Sequence, residues 1–269
     1  MHSFAFNFSF AVYLLSILSY GISYITKKKF LEWIGLTFII WAFIVEMLYI
    51  IWRWSGGNYA PMSNMYESLT LLVWLVSLLY FSFLYKISSE TKRFPLLGLG
   101  FWVSLFSLVL LGIASLNDRS IQSLMPALQS NWLLLHVTTI MIGYASFALS
   151  FLGAGIYLVC FRKKVEEEKS YAFDGLMERT VVLGFLFLTI GIILGSVWAN
   201  SAWGSYWSWD PKETWSLITW FFYATALHLR KSRNWKNEKF AWLSLAGFII
   251  VLFTYFGVNY LLSGLHSYA

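Results

Sequence analysis

The chain has 269 residues, 59% of them hydrophobic and only 12% charged, with a net charge of +6. Soluble domains carry roughly twice that charge, so a soluble enzyme and a nucleic-acid-binding module are excluded. No charged stretch is long enough for a separate soluble domain, and one integral membrane domain is expected over 1–269.

Apolar runs of spanning length fall at about 4–26, 31–52, 64–85, 95–115, 131–161, 180–199, 212–230 and 239–262. They predict an all-α polytopic membrane bundle of about eight transmembrane helices. The first run lacks a basic leader and a small-residue cleavage site, and reads as a retained span. Of the 19 Lys and Arg, all but Arg53, Arg119 and Lys212 lie in the loops after spans one, three, five and seven. The positive-inside rule makes that side cytoplasmic and puts both termini outside.

Within span two, Glu46 is an intramembrane carboxyl, a functional candidate by default with a structural bond to a neighbouring helix as the equal alternative. Asn64 and Glu67, in S-N-M-Y-E-S, have capping-box spacing at the start of span three. Cys160, the single cysteine, offers neither an internal disulfide nor a CxxC pair and reads as a small buried hydrophobe.

Span five begins near Asn131, which places His136 about 7–8 Å along its helix, in the outer leaflet. Thr139, Gly143, Ser146, Ser150 and Gly153 follow as a small, polar stripe that reads as helix packing, or as ligand-facing close to His136.

Residues 203–215 read W-G-S-Y-W-S-W-D-P-K-E-T-W. Trp203, Trp207, Trp209, Trp215 and Tyr206 make this run too aromatic for an ordinary loop, and Asp210 and Pro211 too interrupted for a span. It reads as an external aromatic platform spanning 198–215. Interfacial enrichment of Trp accounts for Trp198 and Trp203, but not for Trp207, Trp209 and Trp215. Asp210, Pro211 and Glu213 suit the N-cap, first and third positions of span seven, so helix capping explains part of the charge here. His228 lies about 25 Å down that helix, near the cytoplasmic face. His266 follows the last span, outside, and His2 is incidental. Two external imidazoles, His136 and His266, flanking an apolar platform suit the axial ligation of haem iron. Lys212 is the cation nearest in sequence for its carboxylates, with Arg53 and Arg119 the other external ones.

The 203–215 segment resembles the tryptophan-rich WWD motif of the haem-handling membrane protein superfamily. Within it the chain resembles the CcsA (ResC) family of the System II cytochrome c biogenesis pathway of bacteria and chloroplasts. S-N-M-Y-E-S-L at 63–69, N-W-L-L-L-H-V at 131–137 and G-L-H-S-Y at 264–268 carry the likeness over about 60–269. The resemblance implies haem b as substrate, with His136 and His266 as its external iron ligands and Trp203, Trp207, Trp209, Asp210 and Trp215 around it. It implies an inner haem site at His228, whose second ligand comes from a CcsB (ResB) partner. It further implies haem export and, with that partner, thioether attachment to a C-x-x-C-H segment of apocytochrome c. Such a chain is part of a holocytochrome c synthase (lyase) complex rather than an enzyme alone. It sits in a bacterial inner membrane or a thylakoid, in contact with lipid, its WWD segment periplasmic or lumenal. Two haem-related alternatives are a CcmC-like delivery protein, against which eight spans and His228 speak, and a HemX-like regulator without synthase activity. A transporter of an unrelated solute is the non-haem alternative.

Overall fold

Lipid offers no partner to a free backbone N–H or C=O, so runs this apolar fold as helices that satisfy themselves. The computed structural model describes residues 2–57, 59–91, 96–121, 128–161 and 167–262, and all regular structure among them is helical. In order these are α1 (His2–Thr26), α2 (Phe30–Gly57), α3 (Met65–Thr91), α4 (Leu99–Ser115), α5 (Asn131–Ile156), α6 (Glu167–Trp203), α7 (Pro211–Ser232), α8 (Glu238–Leu252) and the short α9 (Val258–Leu261). π-Helical turns at Tyr157–Phe161 and Phe253–Gly257 extend α5 and link α8 to α9.

Each of the eight expected runs lies on a helix. Among the described residues six helices are long and apolar enough to cross a membrane, so this is a polytopic helical membrane protein. Leu99–Ser115 is a shorter apolar helix of 17 residues. Pro211–Ser232 carries Thr214, Thr219, Thr225 and His228 and is not among the six. α6 has 37 residues and starts well before the expected 180, because 167–179 continues the helix with its charged side chains instead of forming a loop.

Contacts divide the chain into two compact units, Met1–Ser123 and Leu124–Ala269. In the first, α1 packs against α2 and α4 through a face of small hydroxyls. Ser16 donates to the Gly35 carbonyl at 2.9 Å and shares a 2.9 Å hydrogen bond with Ser104. Tyr20 packs on Gly35 and Gly100, where no side chain intervenes. At the start of α3 the Asn64 cap read from the sequence is present, its Oδ1 accepting from the Glu67 N–H at 2.9 Å, while the Glu67 carboxylate reaches one residue further back and accepts from the Ser63 N–H at 2.8 Å. Glu67 has a second role. Its Oε1 accepts from Arg53 Nε at 2.7 Å, both side chains being buried, and Arg53 also donates to the carbonyls of Arg119 and Ser120, each at 2.9 Å. The guanidinium that sequence offered for haem carboxylates is thus spent on joining α2, α3 and the chain after α4.

In the second unit α5 and α6 form the closest helix pair. The stripe after His136 is its seam: a Cβ on Gly143 would sit 3.2 Å from the Gly184 carbonyl oxygen, and one on Gly153 would sit 3.1 Å from Leu176. Small residues bring the two backbones together, as in other membrane helix pairs. Phe147 fills the space over Gly184 and stacks on Tyr223 of α7, centroids 3.6 Å apart and planes within 5°. At the other end Arg230 donates to both Asp174 oxygens and to Glu178, tying α7 to α6. Cys160, expected to be buried, is exposed, because the π-helical turn there rotates it off the α5 seam.

Candidate functional site

α6 presents Gly191-Ile192-Ile193-Leu194-Gly195, two glycines four residues apart on one helical face. That face receives His136. Its Nδ1 lies 2.7 Å from the Gly191 carbonyl oxygen. A carbonyl only accepts, so Nδ1 carries the proton, and in the neutral ring the lone pair falls on Nε2. Gly195 forms the floor: a Cβ there would sit 2.6 Å from both Cε1 and Nδ1 of the imidazole. Trp198, one turn further on, lies parallel to the imidazole, centroids 6.2 Å apart and planes within 9°. Trp203 meets Trp198 edge-on at 4.7 Å. The imidazole is therefore fixed in tautomer, height and plane by groups of one neighbouring helix.

The sequence reading assigned Trp198 to interfacial anchoring. The structure buries it, 4% exposed, beside His136. Gly191 and Gly195 carry no site signal of their own in the sequence. Their four-residue spacing was the available signal, and it reads as helix packing unless the partner side chain is known.

The Trp-rich segment is not one flat face. α6 ends at Trp203, and Gly204 turns the chain at φ 77°. Trp207 and Trp209 meet edge to face, centroids 5.8 Å apart and planes at 89°. Trp215, in the first turn of α7, packs on Phe253 at 4.2 Å. Trp209 is 69% exposed and holds φ 61°, a left-handed conformation rare for a bulky residue.

The charges of the segment cap α7. Asp210 Oδ1 accepts from the Lys212 N–H at 2.9 Å, and Glu213 Oε2 accepts from the N–H groups of Asp210 at 3.2 Å and Ser208 at 2.8 Å. Capping box and leading proline are both present. Lys212 Nζ donates to Asn259 Oδ1 at 2.8 Å, joining the head of α7 to α9.

His228 is exposed on α7, on one face with Ile218, Phe221 and Thr225. His266 lies outside the described residues, as do the other residues of G-L-H-S-Y. Among the described residues no three His, Cys, Asp or Glu converge as a metal cluster.

A family model described as cytochrome C assembly protein matches residues 62–266. The chain is 39% identical to the cytochrome c biogenesis protein CcsA of Guillardia theta, over 99% of this chain and 96% of that one. It is 42% identical to CcsA of Chlamydomonas reinhardtii, over 84% of this chain and 65% of that one. It is 36% identical to CcsA of Prochlorococcus marinus, over 84% and 80%. Among solved structures it is similar to cytochrome c heme lyase CcmF, with TM-score 0.68 and 16% identity, covering 94% of this chain and 46% of that one. At that identity the likeness shows a shared fold. The sequence relationships go further: the chain belongs to the cytochrome c assembly protein family and, within it, to the CcsA proteins of cytochrome c biogenesis.

Proposed function

We propose that this chain receives haem b and holds it at the external membrane face with His136 and His266 as axial ligands, for attachment to apocytochrome c. The observation that carries this reading is the seating of His136. A 2.7 Å bond from Nδ1 to the Gly191 carbonyl puts the lone pair on Nε2, the arrangement that orients a metal-binding imidazole and raises its basicity. Trp198 and Trp203 beside it, and Trp207, Trp209 and Trp215 beyond it in sequence, offer apolar surface to a flat ligand. Covering a few hundred Å² of haem at ~25 cal/mol per Å² contributes several kcal/mol. Asp210 sets the start of α7 and thereby the position of Trp215.

The topology follows from the basic loops. Eight spans put both termini and the 198–215 segment on the periplasmic or lumenal side of a bacterial inner membrane or thylakoid. His228 then lies toward the cytoplasmic side, at an exposed position of α7. It serves an inner haem site whose second ligand comes from a CcsB (ResB) type membrane partner.

In the attachment step two thiols of the apocytochrome add across the two haem vinyl groups. Each S–H breaks, sulfur bonds to one vinyl carbon and hydrogen to the other, with no net oxidation. The chain supplies no nucleophile. It contributes orientation and control of iron through axial ligation, as part of a synthase complex. The test is the absorption spectrum of the purified protein, with and without the partner. The wild type should show a bis-histidine haem that His136→Ala and His266→Ala each abolish at the external site. A double variant that keeps an unchanged spectrum refutes the assignment.

A further inference from the structure

Glu46 has no place in that reading. It lies in the middle of α2, 2% exposed, and its Oε2 accepts a long, 3.4 Å hydrogen bond from the Tyr13 hydroxyl of α1. Tyr13 is committed more closely to Ser77 of α3, at 2.9 Å. Oε1 of Glu46 has no hydrogen-bond partner, nor does the buried Oγ of Ser9. Both residues line one cavity of about 10 Å³, together with Tyr49, Tyr66, Thr70 and Phe6. That volume holds about one water molecule. A buried polar group without a partner is rare enough in native proteins to require an explanation, and here two residues that carry one line the same small space.

Charge decides what the space holds. The groups that line it are Ala5, Phe6 and Ser9 from α1, Tyr49 from α2, Tyr66 and Thr70 from α3 and Leu111 from α4, none of them cationic; the Arg119 guanidinium lies over the rings of Phe6 at 4.5 Å and Tyr66 at 5.8 Å. Tyr49 already accepts from Arg53, at 3.3 Å, and Thr70 donates to the Tyr66 carbonyl at 2.9 Å. Two turns along α2, the Arg53 guanidinium is bound to Glu67. A carboxylate buried without a cation neutralises by taking up a proton. A hard cation takes six or more oxygens and zinc four ligands; two unpartnered oxygens do not provide them.

We propose that Glu46 is a proton-binding site of the first unit: a neutral carboxylic acid whose Oε1 carries the proton into the cavity, where one water bridges it to Ser9 Oγ. The intramembrane carboxyl is then a proton store of the first unit.

Infrared spectroscopy of the full chain in an ester-free maltoside detergent at neutral pH tests this. The wild type should show a protonated-carboxyl C=O stretching band, absent from Glu46→Gln. Ser9→Ala should keep the band but shift its frequency, because the bridging water loses one anchor. Absence of any such band from the wild type overturns the proposal without recourse to a variant. Persistence of the band in Glu46→Gln assigns the proton elsewhere and overturns it too. A band that Ser9→Ala leaves unshifted overturns the water bridge.

Discussion

Replacing Gly195 by alanine tests the seat of His136 most directly. The added Cβ would sit 2.6 Å from Cε1 and Nδ1 of the imidazole, against 3.4 Å or more for an ordinary contact. The ring must withdraw by about 0.8 Å, which stretches the 2.7 Å bond to the Gly191 carbonyl to the edge of hydrogen bonding. Turning the side chain away instead breaks the parallel contact with Trp198. Either way the imidazole loses the partner that fixes its tautomer. Loss of such an outer partner lowers metal affinity by about 10–100-fold, or about 1.4–2.7 kcal/mol. Haem titration of the purified protein, followed in the Soret band, measures it. Two controls separate this effect from helix packing. A Cβ on Gly191 meets the flexible tip of Ile140 at 2.6 Å, which rotates aside more cheaply. Gly155 has open space around its Cβ, so Gly155→Ala should leave haem binding unchanged. If Gly195→Ala binds haem like the wild type, or if Gly191→Ala loses as much, the glycine pair only packs helices and the reasoning fails.

Arg53→Ala strands Glu67 as a buried unpaired carboxylate and should cost about 3–5 kcal/mol of stability, read as a lower unfolding temperature in detergent. Replacing both partners by apolar residues of similar volume should recover most of it. Asp210→Ala removes the N-cap of α7 and should cost about 1 kcal/mol, whereas Asp210→Asn keeps an accepting oxygen and should retain both stability and haem; loss of haem in the asparagine variant would show that the negative charge acts beyond capping. His228→Ala should leave the haem spectrum of the isolated chain unchanged and reduce haem content only in the complex with its partner. Trp209→Gly relieves a left-handed tryptophan worth roughly 1–2 kcal/mol. It should raise the unfolding temperature while lowering yield of attached haem in cells, and a fall in stability would show that the ring packs.

Helices and caps were legible because their signals are local. Apolar runs located all eight long helices, and the spacing of Asn64 to Glu67 and Asp210 to Glu213 fixed two helix starts. What stayed hidden depends on the partner across a contact. Arg53 reads as an external cation until Glu67 and two carbonyls are seen to enclose it. Trp198 reads as an anchor until His136 is seen beside it. The small stripe on α5 reads as packing away from His136, which Gly143 and Gly153 bear out, but its counterpart on α6 is invisible. A glycine records only the absence of a side chain, and what fills that space belongs to another helix.

Gly204 and Trp209 show how the Trp-rich segment is built. Pro211 drives the residue before it into an extended conformation, and Asp210 is found at φ −52° and ψ 146°. Asp210 must also turn its carboxylate onto the first N–H groups of α7. The reversal of direction therefore falls one residue earlier, on Trp209. Glycine would take that conformation without strain, as Gly204 does at the other end of the loop. Tryptophan there is costly, and burial does not offset the cost, because the ring is 69% exposed. Strain held at an exposed aromatic is a property of the loop that serves something outside the unit's own packing. The capping box keeps the loop in this form, so the charged residues hold the aromatic ones in place.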